Sequence, residues 1–182
     1  MKILKKTDEE IWIELPCGKK TVISAEDSWI IKEFPVWGIA GSHSKYVFAE
    51  RSIDSGYSMV RERIYLHRLI LKEKNRKVNV DHKDRDRLNN RRSNLRICSA
   101  RQNMANTAAK NGKRFKGVFL DKRCGHLKKR HASYISYIEA RLGGLVKRKY
   151  LGRFFTAEEA AAAYNKASKE IYGEFAFQNE GV

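Results

Sequence analysis

Between Val78 and Asn103 two short apolar runs flank a long polar loop, and few folds accept that order. Val78 and Val80 lead into Asp81-His82. The loop Lys83-Asp84-Arg85-Asp86-Arg87-Leu88-Asn89-Asn90-Arg91-Arg92-Ser93-Asn94 follows, with neither Gly nor Pro in it. Leu95, Ile97 and Cys98 form the second run. Ser99-Ala100-Arg101-Gln102 then reads as a capping box, Ser at the N-cap and Gln at N3, opening a helix. The pattern predicts strand, loop, strand, helix, with Asp81 and His82 at the end of the first strand and Asn103 on the helix's first full turn. A carboxylate, an imidazole and an amide then have one small volume in which to meet.

The order Asp81-His82, Asn94-Leu95-Arg96, Gln102-Asn103 resembles the ββα-metal motif of HNH endonucleases, in the form found in phage and intron-encoded homing enzymes. Tyr65-Leu66-His67-Arg68-Leu69-Ile70 resembles that family's lead-in. His82 matches the first letter, Asn94 the second and Asn103 the third, where many relatives carry His and homing-type members often carry Asn. The resemblance implies His82 as general base and Asp81 and Asn103 as ligands of one divalent ion, with His67 in support nearby.

The residue types fit that chemistry. Hydrolysing a phosphodiester needs an activated water, charge stabilisation on the phosphate and help for the departing 3′ oxygen, and a divalent metal can supply the last two. A sparse, oxygen-only donor set suits Mg²⁺, with Mn²⁺ as the alternative. An imidazole with an ordinary pKa of about 6.5 suits a base near neutral pH. Neighbours on an extended chain point to opposite sides, so a local bend or the loop beyond must re-aim Asp81 or His82. Asn94 would fix that loop or orient the imidazole. Asp84 and Asp86 read as solvated acids offsetting Lys83, Arg85 and Arg87. Singly, each of these positions is ordinary turn or strand-end chemistry; it is their joint order that points to a site.

Charge is uneven along the chain. Residues 1–60 hold eight Lys/Arg against nine Asp/Glu, while residues 61–182 hold thirty against twelve, so the whole surplus behind the net +17 sits with the motif and the residues after it. A field of that size suits a polyanion, and double-stranded DNA is the expected partner. Cys17, Cys98 and Cys124 form no CxxC pair, which excludes a zinc ribbon and fits small buried hydrophobes in a reducing compartment. No apolar run is long enough to span a membrane, and Met1-Lys2-Ile3-Leu4-Lys5-Lys6 has no signal-peptide core. These features point to an intracellular protein, and the resemblance to HNH homing enzymes implies a monomer encoded by a phage or mobile element and acting in the cytoplasm of a bacterial host.

Four segments are predicted. Residues 1–60 read as a β-rich scaffold, from Ile11-Trp12-Ile13, Thr21-Val22-Ile23, Trp29-Ile30-Ile31 and Tyr46-Val47-Phe48. Trp29, Trp37 and Tyr46 are less favoured candidates for stacking on DNA, and His43 reads as a loop residue. Residues 61–106 form the nuclease core, with a helix predicted over 61–74 from Ile64, Leu66, Leu69 and Ile70. Residues 107–113 read as a linker. Residues 114–182 show three strand-like runs and then a helix from Ala157 to Tyr172, opened by the capping box Thr156-Ala157-Glu158-Glu159 and ended by Gly173.

Lys116-Gly117-Val118, Tyr150-Leu151-Gly152-Arg153-Phe154, Thr156-Ala157-Glu158-Glu159-Ala160-Ala161 and Tyr172-Gly173-Glu174-Phe175-Ala176 resemble the plant Apetala/ethylene-response-factor DNA-binding domain. The Trp that family carries on its second strand has no counterpart at His131, Ser133 or Ile135. The resemblance implies a sheet laid in the major groove, with Arg114, Lys116, Arg123, Lys128, Arg130, Arg148 and Arg153 touching phosphate or bases. The fold class predicted is therefore α+β: a β-rich N-terminal region, a ββα-metal core, then a three-stranded antiparallel sheet packed on one helix. The function predicted is a metal-dependent DNA endonuclease nicking one strand per monomer. The alternative is a DNA-binding regulator with a vestigial nuclease site.

Overall fold

Alternation shapes the first sheet. In Glu10–Glu14 the side chains of Ile11 and Ile13 are buried while Glu10, Trp12 and Glu14 are half-buried, the period of two that a strand on a core requires. The computed structural model describes residues 2–34, 36–40, 46–54, 59–109, 112–121, 133–142 and 145–182. They fall into two compact units, Met1–Ala100 and Arg101–Val182.

In the first unit β1 (Lys2–Lys6), β2 (Glu10–Glu14) and β3 (Lys20–Ser24) form an antiparallel meander. Trp29-Ile30-Ile31, read as part of the β-rich scaffold, lie instead in the short helix α1 (Trp29–Glu33). Ile30 and Phe34, four apart, are buried on one side of it, and Phe34 packs its ring 5.6 Å from that of Trp37. Trp37 is core, not a stacking surface, since only 2% of it is exposed. A second sheet, β4 (Gly38–Ala40), β5 (Tyr46–Asp54) and β6 (Met59–Tyr65), runs antiparallel in chain order.

The helix predicted over 61–74 is mostly absent. Residues 61–65 belong to β6, and only α2 (Leu66–Ile70) is α-helical. The cause is non-local: Glu50 lies opposite Arg63 in the ladder and takes ion pairs from both Arg61 and Arg63, and Ala49 lies opposite Ile64. Strand pairing outweighs a helical apolar spacing only a few residues long.

The motif folds as strand, loop, strand. β7 (Asn79–His82) pairs with β9 (Leu95–Cys98), with Asp81 opposite Arg96 and His82 opposite Leu95. The loop between them contains the two-residue β8 (Asn89–Asn90), which joins β3 in parallel, Val22 opposite Asn89 and Ile23 opposite Asn90. The motif is thus stitched into the N-terminal sheet. One hydrophobic core serves both, uniting Ile11, Ile13 and Ile23 with Leu66, Ile70, Val80 and Leu95. Cys98 is buried as expected, and burial pushes its thiol up to about 11. Cys17 is exposed instead, because Pro16-Cys17-Gly18 turns at the surface. Cys124 and His43 lie outside the described residues.

The helix α3 (Ala100–Ala105) follows β9. In the second unit β10 (Val118–Leu120), β11 (Tyr134–Leu142) and β12 (Leu145–Phe154) make an antiparallel sheet in chain order, packed on α4 (Ala157–Tyr172). Both halves of the predicted capping box form: Glu159 N donates to Thr156 Oγ1 at 3.1 Å, and Thr156 N donates to Glu159 Oε2 at 3.2 Å. Ala160, Ala161 and Ala167 let the helix lie close on Val118 and Ile138. Gly117 has φ +77°, and a Cβ there would sit 2.0 Å from the Tyr164 ring, so the first strand of this sheet can begin only with Gly. The α+β class predicted is the class observed.

Candidate active site

The ladder between β7 and β9 stays regular through Asp81 and His82, and the chain turns only afterwards, with Lys83 N donating to Asn94 O at 2.9 Å and Arg85 N to His82 O at 2.9 Å. The bend expected to re-aim one of the two side chains is therefore not between them. They leave the strand on opposite sides, and their partners divide accordingly.

Asp81, 7% exposed, meets Arg96 directly across the ladder. Arg96 donates Nε at 3.0 Å and Nη2 at 2.8 Å, both to Asp81 Oδ2. Two charge-assisted bonds on one oxygen fix the rotation of the carboxylate. Arg96 follows directly from the strand register, which the motif pattern does not spell out.

His82, 3% exposed, sits among rings. Its centroid lies 5.4 Å from that of His67 and 6.1 Å from that of Tyr46, and the Arg87 guanidinium lies 4.4 Å over Tyr46. Its Nε2 is 3.2 Å from Asn90 Oδ1. Burial pushes His82 below the usual imidazole range, against the Asn90 bond and the nearby Asp84, Asp81 and Asp86, which pull the other way. At neutral pH the ring is neutral, the form that accepts a proton. His67 is pushed down further, to about 3, first by burial and then by the charges of His82, Arg68 and Arg87. Among the described residues its buried Nδ1 has no hydrogen-bond partner.

Asn94 serves the loop. Its Nδ2 donates to Asp84 Oδ1 and to Asn89 O, each at 2.8 Å, and its Oδ1 accepts from Asp84 N at 3.1 Å. Of the two roles foreseen for Asn94, holding the loop is the one these bonds perform, and the amide touching the imidazole is that of Asn90. Asp84 is correspondingly more than a solvated acid. Its Oδ1 also accepts from Asp86 N at 2.8 Å and its Oδ2 from Asn89 Nδ2 at 2.6 Å, so it ties the loop closed around Arg85, whose φ is +69°. Only Asn94 of this knot is buried while Asp84 stays exposed, and the sequence shows only another charge in a charged loop.

The N-terminal sheet holds the same loop from outside. Arg92 donates Nε at 3.0 Å and Nη2 at 2.6 Å to Asp27, a fully buried carboxylate, and Arg92 N donates to Ser24 Oγ at 3.0 Å. Arg91 pairs with Glu10 and lies 5.7 Å over the Trp12 ring.

Asn103 lies on α3, half-buried, and belongs to the second unit. Among the described residues no three His, Cys, Asp or Glu side chains gather as a metal-holding group.

The predicted DNA contacts divide. Arg114 donates to Glu158 at 2.6 Å and Arg148 to Glu139 at 3.1 Å, all exposed, and Arg153 pairs with the buried Asp121 at 2.6 Å. Lys116 is occupied differently: its ammonium donates to the carbonyls of Ala105 and Thr107, each at 2.8 Å, at the end of α3. Arg123, Lys128 and Arg130, with His131, lie outside the described residues. The sheet also presents rings that the basic count did not single out. Tyr137 lies 6.1 Å from Phe119 and 5.5 Å from Tyr150, with Lys113 3.9 Å over Phe119. Phe119 is 37% and Tyr150 54% exposed, so aromatic surface is available here.

Comparison with known proteins finds two similarities. Residues 64–105 match the family model described as HNH endonuclease. Over 183 aligned residues the chain is 29% identical to an uncharacterized HNH endonuclease of Acanthamoeba polyphaga mimivirus, covering 89% of this chain and 90% of the relative. No solved structure matches.

Proposed function

We propose that this chain, a nuclease through the HNH endonuclease domain of residues 64–105, hydrolyses phosphodiester bonds of double-stranded DNA with one divalent cation and holds its target with the C-terminal unit. The observation that carries the reading is a buried, neutral imidazole, His82, at the end of β7, next to a buried carboxylate, Asp81, in the paired strands of the motif. The donor set fits a hard cation. Asp81 offers a carboxylate whose rotation Arg96 fixes, and the buried thiol of Cys98 is held protonated. Asp81 would hold the ion, Mg²⁺ or Mn²⁺, which when bound supplies charge stabilisation for the phosphate and the departing 3′ oxygen.

The protein's own groups supply the rest. His82 takes the proton from water as the water oxygen attacks phosphorus and the P–O3′ bond breaks. Asn94 and Asp84 keep the loop in place beneath it. Tyr46 and His67 wall the imidazole from solvent, which keeps it neutral. With one such site per chain, a monomer cuts one strand. The homing-type form of the motif and a viral relative along most of the chain's length support a mobile-element enzyme acting in a host cytoplasm.

For the C-terminal unit, the support is a three-stranded antiparallel sheet on one helix, with Phe119, Tyr137, Tyr150, Arg148 and Arg153 on it. A sheet of this kind fits the width of the B-form major groove, as in the Apetala/ethylene-response-factor domain it resembles.

The engagement of Asp81 by Arg96 favours one other reading, a DNA-binding regulator with a vestigial nuclease site. Supercoiled plasmid incubated with the protein and Mg²⁺, Mn²⁺ or chelator separates the two. Nicked circles with metal only, lost at least about a hundredfold in His82→Ala while DNA affinity is kept, are the expected result. Unchanged plasmid in every tube would leave the regulator.

A further inference from the structure

The bond between His82 and Asn90 has a direction, and the N-terminal sheet sets it. Thr21, on β3, is 1% exposed, and its Oγ1 lies 2.7 Å from Leu88 O. A carbonyl oxygen only accepts, so the single hydroxyl hydrogen of Thr21 is spent there. Toward anything else Thr21 Oγ1 can only accept. The atom of the Asn90 amide lying 3.0 Å from Thr21 Oγ1 must therefore be a donor, and the same atom lies 3.2 Å from Arg87 O, a second pure acceptor. Both amide hydrogens are accounted for, so this atom is Nδ2 and the remaining one is Oδ1. Oδ1 accepts only, and it lies 3.2 Å from His82 Nε2. His82 Nε2 therefore carries hydrogen.

We propose that Thr21 and Asn90 are positioning residues for the nuclease reaction. Their one-way chain, His82 to Asn90 to Thr21 to Leu88, holds the His82 proton on Nε2 and so makes Nδ1 the nitrogen that carries the basic lone pair of the neutral ring. Asn90 is 1% exposed, which shields the chain from solvent that could reverse it. The backbone reinforces the same geometry: Val22 N donates to Leu88 O at 3.1 Å, and β3 and β8 run in parallel register there. The neutral N-terminal region thus acquires a function, since it decides which face of a buried imidazole is basic. The role for the base rests on the nuclease reading above; the proton's position does not.

That independence allows a test in two parts. Long-range ¹H–¹⁵N correlation spectra of the ¹⁵N-labelled full chain distinguish the two neutral histidine tautomers at His82 without any substrate. The Nε2–H tautomer is expected in the wild type, a mixture in Thr21→Val, and the wild-type pattern again in Thr21→Ser. Plasmid nicking by the same proteins should show kcat lowered about ten- to a hundredfold in Thr21→Val and Asn90→Leu with KM nearly unchanged, and recovery in Thr21→Ser. A wild-type His82 found mainly as the Nδ1–H tautomer overturns the inference while leaving the nuclease reading intact. So does Thr21→Val that matches wild type in both tautomer and kcat. Nicking that survives His82→Ala, with the tautomers as expected, overturns the nuclease reading alone.

Discussion

Arg96 and Asp81 form the most exposed point of failure among the residues of the site, because each is a buried charge compensated by the other. Their side chains are 10% and 8% exposed. Arg96→Leu strands the carboxylate and is expected to cost about 3–5 kcal/mol, read as a lowered urea midpoint. His67 carries a pH dependence whose sign follows from its depressed value. Its folded pKa of about 3 lies below the ordinary 6.5, so between those values the unfolded chain binds the proton and the folded one does not. Stability is full above about pH 6.5 and falls as pH drops toward 3, with a slope of up to about 1.4 kcal/mol per pH unit. Urea titrations from pH 7.5 to 4 on wild type and His67→Leu should show that slope flattened in the variant. The candidate residues Asp81, His82 and Asn94 stand in one short motif, where the sequence shows their order. The pairing of Asn90 with Thr21 is not legible there, because 69 residues separate them and only strand pairing brings them to hydrogen-bond distance.

Among elements, the clearest contrast is between α4 and the stretch before α2. The helix Ala157–Tyr172 is legible end to end because its signals are local: a Thr-x-x-Glu box at one end and a glycine of φ +56° at the other. Thr156→Ala should lower the stability of the second unit by about 1 kcal/mol in thermal melts. Residues 61–65 carry equally suggestive helical spacing, yet their partners lie on β5, and the ladder won. Gly117 is non-local in the same way, since its necessity shows only when Tyr164 is seated over it. Gly117→Ala combines a positive φ with a clash that backbone must absorb, and is expected to cost about 2 kcal/mol or more, again by thermal melt.

Across the whole molecule the basic surplus is shared. Residues 61–100 hold thirteen Lys/Arg against five Asp/Glu, and residues 101–182 hold seventeen against seven, so the stretch that carries the motif and the C-terminal unit both favour a polyanion. Binding to duplex DNA should weaken steeply with salt, and Arg148→Ala with Arg153→Ala should lower the slope of log K against log salt by about 1 for each phosphate no longer neutralised. Fluorescence anisotropy at several salt concentrations measures it. What the sequence determined by itself was the set of local agreements: the strand–loop–strand–helix order, the caps of α4, the charge asymmetry, and a motif whose residue types suit metal-assisted hydrolysis. Those are short-range properties, set by neighbours a few residues away. The tertiary structure decided which side of β7 each side chain faces, that Arg96 holds Asp81, that Asn94 serves the loop, and that a threonine from the N-terminal sheet stands behind Asn90 and His82. Each of these depends on register between strands far apart in the chain, and register is settled by the packing of one shared core.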